Sequence, residues 1–266
     1  MLKKFILFVF MAGTIYFFNA CDEKSNPNDP DDGEQVEDTS YFPNEEDSYY
    51  KYSISRTDSN SNQITGTRSS FYSGTSLIGA TSYQIQIDSL VLTGQAAIVD
   101  SLFFRKTNTG LFFYLDTTGL ATSVPGLDTL IQYISLDSEL RLLLFPLLDN
   151  SNWTVFKMNI NYQGVLNFNP IELKTTYDGK ETLNLELTPP RPVEAVRLKF
   201  TLTIKPGPFD PVQTYTAYAW IAQGIGFVKW QGSGTIVGVF TGNGVDLDDT
   251  TSVYTENLIE YNRIDQ

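Results

Sequence analysis

The chain has 266 residues and no histidine, with 18 basic against 31 acidic side chains for a net charge of -13. That balance repels phosphate backbones and makes nucleic acid a poor partner. The lack of histidine removes Ser-His-Asp and Cys-His nucleophile activation and the usual zinc ligand sets.

Lys3 and Lys4 head an apolar run from Phe5 to Phe18, which ends Phe18-Asn19-Ala20 directly before Cys21, the one cysteine. A positive n-region, an apolar stretch of signal length and a small residue before a cysteine describe a bacterial lipoprotein signal over 1–20. Cleavage there makes Cys21 the lipidated first residue and the membrane the first partner. A spanning helix needs about 20 apolar residues, more than this run supplies, and ordinary secretory cleavage wants a small residue where Phe18 stands. The address is thus the cell envelope, as an outer-membrane lipoprotein, with its periplasmic or surface side left open.

Residues 21–40 read as an acidic disordered tether. Positions 22–40 hold eight acids, one lysine and a single aliphatic residue, Val36, too little apolar surface to offset the entropy of ordering. Their acids miss the spacing of a calcium loop. With no cysteine left for a disulfide, stability must come from the hydrophobic core of the domain beyond residue 40.

From 41 to 266 the hydrophobic period is two. Tyr83, Ile85 and Ile87 alternate with Gln84, Gln86 and Asp88; Leu183, Leu185 and Leu187 with Asn184 and Glu186; and Val196 to Ile204 with Arg197, Lys199, Thr201 and Thr203. Each reads as a strand with one wet face. Further strands are predicted at 49–57, 64–72, 97–105, 110–116, 127–134, 153–162, 165–177, 212–221, 225–231, 235–241 and 252–262. Only Leu136 to Phe145 suggests a short helix, with Asp137 or Ser138 as cap. Without recurring helices between strands the fold class is all-β: a strongly curved, mainly antiparallel sheet or incomplete barrel with at most one or two short helices.

Two stretches echo each other, Phe42-Pro43 leading to Tyr50 and Phe145-Pro146 leading to Trp153. They divide the domain into two candidate halves, about 41–143 and 144–266, although strand lead-ins also reuse Phe, Pro and Ser for local turn reasons.

Catalytic motifs do not appear. There is no G-x-S-x-G, P-loop or G-x-G-x-x-G, and Ser48 to Lys51 matches S-x-x-K without its companion motifs. No catalytic, metal or cofactor residues are assigned. Glu172, Glu181, Glu186 and Glu194 are placed on wet strand faces, and Asp246, Asp248 and Asp249 in a hairpin loop. Aromatic residues make up 14% of the chain. Tyr218, Trp220, Phe227 and Trp230 cluster beside Gly224, Gly226, Gly232, Gly234 and Gly238, which permit bends. They serve either as core or as the lining of a concave, partly open face that takes an apolar ligand. D-[S/T] triplets place candidate O-glycan acceptors at Ser89, Ser101, Thr117, Thr129 and Thr250, where Asp-Ser and Asp-Thr are also ordinary turn residues.

The signal and cysteine, the polar tether, Tyr41-Phe42-Pro43 with Tyr50 and Tyr52, and the strand Gly224-Ile225-Gly226-Phe227-Val228-Lys229 together resemble a broad group of poorly characterised bacterial outer-membrane lipoproteins. That resemblance implies a curved sheet similar to lipoprotein-carrier half-barrels, and it carries over no activity. Three functional readings are compatible with these features. The first is a non-enzymatic binding module for an apolar or amphipathic ligand or an envelope partner protein, the second a structural or surface-display lipoprotein, and the third a carboxylate-based glycan enzyme.

Overall fold

The computed structural model describes residues 41–58, 60–115, 133–162, 166–205, 209–241 and 251–263; the signal, the tether and Cys21 lie outside them. The described chain forms β1 Tyr49–Thr57, β2 Gln63–Ile78, β3 Thr81–Leu92, β4 Ile98–Thr107, β5 Gly110–Tyr114, β6 Ile134–Leu136 and β7 Glu139–Leu144. Beyond these come β8 Asn152–Tyr162, β9 Leu166–Leu185, β10 Arg191–Ile204, β11 Gln213–Ala222, β12 Gly226–Ser233, helix α1 Gly234–Phe240 and β13 Val253–Asn262. All strands join one antiparallel sheet of order β6-β8-β9-β10-β11-β12-β13-β1-β2-β3-β4-β5-β7.

The two edge strands of that order are neighbours in sequence, since β6 ends at Leu136 and β7 begins at Glu139. Three Cα steps of about 3.8 Å therefore separate the far ends of the sheet, which has to curl back on itself. The result is an incomplete barrel. At the seam the Trp153 indole of β8 donates to the Arg141 carbonyl of β7 at 3.1 Å, a side-chain bridge where no ladder runs among the described residues.

Alternation fills the inside. Along β1, Tyr50, Tyr52 and Ile54 are buried between half-buried Tyr49, Lys51 and Ser53. Most of the buried apolar side chains form one hydrophobic cluster that runs through both halves of the sheet.

Two elements exchange the expected roles. Leu136 to Phe145 contains a strand, β7, because its leucines complete the core by pairing with β5: Leu140, Leu142 and Leu143 are all buried, two of them consecutively across a register shift. Residues 235–241, expected as a strand, are instead helical from Gly234 to Phe240. A lone strand inside the curl would leave its backbone groups unpaired, whereas a helix satisfies most of its own. Gly234 is needed at the start, since a Cβ there would sit 2.2 Å from Ser252 Oγ. Its N–H donates to the Ser252 carbonyl at 2.9 Å, and at the far end Thr241 Oγ1 donates to the Val237 carbonyl at 2.9 Å.

α1 is the filler of the curl. Phe240 meets Trp230 and Phe200 at ring separations of 5.6 Å, and Phe113, from β5, at 6.2 Å. It thereby joins wall strands that belong to different halves of the sheet.

The halves are wired alike. β1-β2-β3-β4-β5-β7 and β8-β9-β10-β11-β12-β13 run in the same spatial order. Asp47 and Asn150, at matching places in the echo, both have positive φ, 67° and 65°. Ser48 and Ser151 each donate their N–H three residues back at 3.1 Å, and their carbonyls accept from Tyr72 and Tyr177 in the neighbouring strand. Beyond the echo, Gly74 and Gly179 mark corresponding shifts in the β2-β3 and β9-β10 ladders.

Phe240→Ala is expected to lower unfolding free energy by about 3–5 kcal/mol, through lost burial plus an unfilled cavity. Urea denaturation checks this; a loss below about 1 kcal/mol would mean that the helix is not the filler of the curl.

Candidate functional site

The four aromatics singled out from the sequence do not converge on one face. Phe200 of β10 and Trp230 of β12 both meet α1, and Ala219 of β11 pairs with Leu198 and Trp230. The interior face of β11 is therefore Ala217, Ala219 and Ile221, and alternation sends Tyr218 and Trp220 outward. There Lys229 Nζ lies 4.5 Å from the Trp220 ring centroid and the Arg197 guanidinium 5.8 Å from that of Tyr218. The Trp220 indole donates to Glu181, and the ring is only 5% exposed.

Phe227 and Trp230, which strict alternation would send to opposite faces, are both interior and stack at 5.0 Å. A ladder shift pairs Trp220 with Lys229 but Ile221 with Phe227, absorbing Val228 as an extra residue. Neither ring lines an open groove: Trp230 is 2% and Phe227 8% exposed.

The closing element above them is the lead-in segment. Phe42 is buried 5.5 Å from Phe104 and 6.0 Å from both Tyr72 and Phe227. Lys106 Nζ donates to the Phe42 carbonyl at 2.9 Å, and Tyr50 to that of Pro43 at 3.3 Å. Gln84 and Asn44 exchange hydrogen bonds. Burial pulls Lys106 below the usual lysine range. Gly226 lies beside Pro43 at φ 100°, a backbone conformation that favours glycine.

Beneath this plug lies a polar cluster. The sequence pattern puts Gln86 and Asp88 on the wet face of β3, but the structure turns both inward, together with Leu90 and Leu92, and sets Tyr83, Ile85 and Ile87 on the outer side. The reason is their neighbour. Arg68 on β2 also points inward, and its Nη1 donates to Asp88 Oδ2 at 3.0 Å and to Ser70 Oγ at 2.5 Å, while Nε donates to Glu256 Oε1 at 2.6 Å. Gln86 donates to Asp88 Oδ1 at 2.8 Å, and the guanidinium lies 4.3 Å from the centre of the Tyr52 ring.

One cation thus faces two carboxylates with essentially no solvent. Glu256 is wholly buried, and its Oε2 has no hydrogen-bond partner among the described residues. Burial pushes the Glu256 carboxyl above its usual range, against the attraction of Arg68. Burial also pulls on Arg68, yet Glu256 and Asp88 carry it well above its ordinary value. The cavity beside the cluster, reached by Arg68, Ser70, Gln86, Tyr52 and Phe42, measures about 30 Å³, room for a water molecule or two.

The surface carries larger hollows. A cleft of about 500 Å³ has Val193, Val196 and Ile225 as its floor and Tyr41, Arg191 and Tyr261 around it. Arg191 and Tyr261 separate it from a second cleft of about 440 Å³ over Leu187, Pro189 and Ile259. A third, of about 610 Å³, is bordered by Asp149, Tyr177 and Asp178.

The remaining expected residues are scattered. Cys21, Thr117, Thr129, Thr250, Asp246, Asp248 and Asp249 lie outside the described residues. Ser101 is exposed, with its N–H on Asp100 at 2.8 Å. Ser89 is half-buried and comes directly after Asp88, whose side chain is held by Arg68 inside. Among the described residues no group of three or more acids, histidines or cysteines is placed to hold a metal ion, and no helix is long and apolar enough to cross a membrane.

No protein-family model and no curated protein matches the chain. Three solved structures align with it at low scores. A provisionally named lipoprotein of Parabacteroides distasonis is 11% identical, with 84% of this chain and 98% of that one covered at a TM-score of 0.40. A similarly named exported protein of YmcC-like fold from Bacteroides fragilis is also 11% identical, with the same coverage and a TM-score of 0.43. The hypothetical lipoprotein YmcC of Escherichia coli is 10% identical, covering 79% of this chain and 86% of its own at 0.29. Scores this low define neither a shared family nor a shared activity.

The pH response of Glu256 is testable. Its folded pKa is raised, so the stability it contributes is full below the unfolded value near 4.5 and is lost as pH rises through the folded pKa. Glu256→Gln keeps the acceptor for Arg68 and cannot ionise. Its unfolding free energy relative to the native chain is expected to improve as pH rises from about 4 to 8; a difference independent of pH, or one sloping the other way, refutes the assignment.

Proposed function

We propose that this chain is a lipid-anchored envelope lipoprotein, held in the outer membrane through Cys21, whose domain is a non-enzymatic binding module working at its outer surface. The observation that supports this reading is the pair of surface clefts, of about 500 and 440 Å³, on a domain whose interior is filled among the described residues. Small-molecule sites usually measure roughly 300–1,000 Å³, and the cavity inside the curl holds about 30 Å³. An acyl chain has no room there while Phe42, Trp230 and Phe240 occupy the space. The carrier-like groove expected from Phe227 and Trp230 is accordingly set aside, and Tyr218 and Trp220 belong to the outside.

A filled interior also favours the second reading, a structural or display lipoprotein without a small ligand. Those two readings part on whether the surface clefts take a ligand. The glycan-enzyme reading is weakest, because three of the four carboxylates at the clefts are engaged. Glu194 meets Lys180 at 3.7 Å, Asp178 meets Arg197 at 2.8 Å, and Asp149 is hydrogen-bonded by Tyr177.

Purification from native membranes with lipid and protein mass spectrometry tests the proposal. Acyl groups on Cys21, lost in Cys21→Ser, are expected, with co-purifying partners but no free lipid in stoichiometric amount. A stoichiometric lipid released only on unfolding would restore the interior carrier reading; label on Cys21→Ser would remove the anchor.

A further inference from the structure

Four of the arginines, Arg68, Arg105, Arg197 and Arg263, each face a carboxylate. Arg191 forms no ion pair among the described residues. Its partner is Tyr261: Nη2 donates to the hydroxyl, and the guanidinium lies 5.5 Å from the ring centroid. Tyr261 in turn stacks on buried Tyr50 at 6.2 Å and 10°. The cation is thereby held in a fixed posture at the boundary of the two adjoining clefts, with most of its five N–H donors unspent.

We propose that the Arg191–Tyr261 cleft binds a small organic monocarboxylate with an apolar body. This rests on the reading of the domain as a surface-acting binding module, and it names that module's site and ligand class. Three observations fix the class. Part of the lining is accessible carbon: half-buried Val193, Tyr41 and Tyr261 and exposed Pro192, over buried Val196 and Ile225, give an apolar body something to cover. The rim offers one unneutralised cation, because Lys180 is spent on Glu194 at 3.7 Å. The guanidinium fork matches the two oxygens of a carboxylate.

Charge decides against a dianion such as a phosphate monoester. Glu260 borders the adjoining cleft with no ion pair among the described residues, and a second negative charge would meet its repulsion without a second free cation. The volume, about 500 Å³, is that of an ordinary small-ligand site. Neutral amphiphiles lack the group that would use Arg191, and acetate lacks the body that would use the floor.

The test uses the intact lipidated protein in nanodiscs of neutral lipid, titrated calorimetrically with 4-phenylbutyrate, 4-phenylbutanol, acetate and 4-phenylbutyl phosphate. Arg191→Gln is the variant, and its unchanged Tm serves as the folding control, since the side chain is exposed. Phenylbutyrate is expected to bind the native protein, to bind Arg191→Gln about tenfold more weakly or worse, and to outcompete the other three probes. Equal binding to Arg191→Gln overturns the proposal, as does binding of phenylbutanol as tight as that of the acid, or tighter binding of the phosphate. Native purification keeps the two levels apart. Partners without phenylbutyrate binding remove this site alone, whereas neither partners nor binding removes the binding-module reading too.

Discussion

The constraint behind the whole structure is the volume inside a wide curled sheet. Eight strands enclose about as much space as their own inward side chains can fill, and much larger barrels leave a channel. Here thirteen described strands form one sheet whose ends lie two residues apart in sequence. Ordinary aliphatic side chains would leave a hole. The chain fills it with aromatics from several walls, with the largely apolar α1, and with the Phe42 lead-in. The abundance of rings is thus a consequence of strand number, and no ligand is needed to account for it.

The buried charges are a different matter, because the fold does not demand them. Arg68 stands four residues before Tyr72, which pairs with Gln86, and Asp88 lies two residues beyond that. In the second half Tyr177 pairs with Leu198, and the corresponding places hold Leu173 and Phe200. One half of the same wiring is therefore content with an apolar pair. A buried ion pair is weak evidence for added stability, since desolvation offsets much of its attraction. What the cluster does supply is orientation. Arg68 ties β2 to β3 through Asp88 and to β13 through Glu256, and it lies over Tyr52 of β1. Four consecutive strands at the junction of the halves are thereby held in one register, where a slip would strand a charge in the core.

The strands were largely legible, the contents of the barrel much less so. β1 and β13 stand where alternation put them, because a sheet with one wet face writes its period into the chain. Alternation failed where tertiary demand differed from local pattern. The 235–241 segment is rich in β-branched residues and reads as a strand, but a position surrounded by walls favours a self-satisfied helix. β3 reads with its apolar residues inward, and Arg68 reverses it. Nothing in either strand alone announces that, because the signal is a pairing between β2, β3 and β13. Val228 defeats the assignment of faces in β12 for a related reason, as a bulge inverts every later position. The surface cleft was invisible for a simpler reason: Arg191 and Tyr261 are 70 residues apart, and exposed charges look alike in sequence.

Interior filling also redirects the search for function. Rings spent on packing cannot select a ligand, so recognition falls to the outer surface. That surface belongs to a chain with 31 acids and 18 bases, and six basic side chains among the described residues, Arg68, Arg105, Lys174, Lys180, Arg197 and Arg263, pair with an acid. An arginine that keeps donors free can bind an anion, and holding it against a stacked tyrosine reduces the entropy lost when that anion binds. Arg191 meets both conditions beside a partly apolar lining. Its neighbour Glu260 then acts as a filter, admitting a single negative charge and repelling a second.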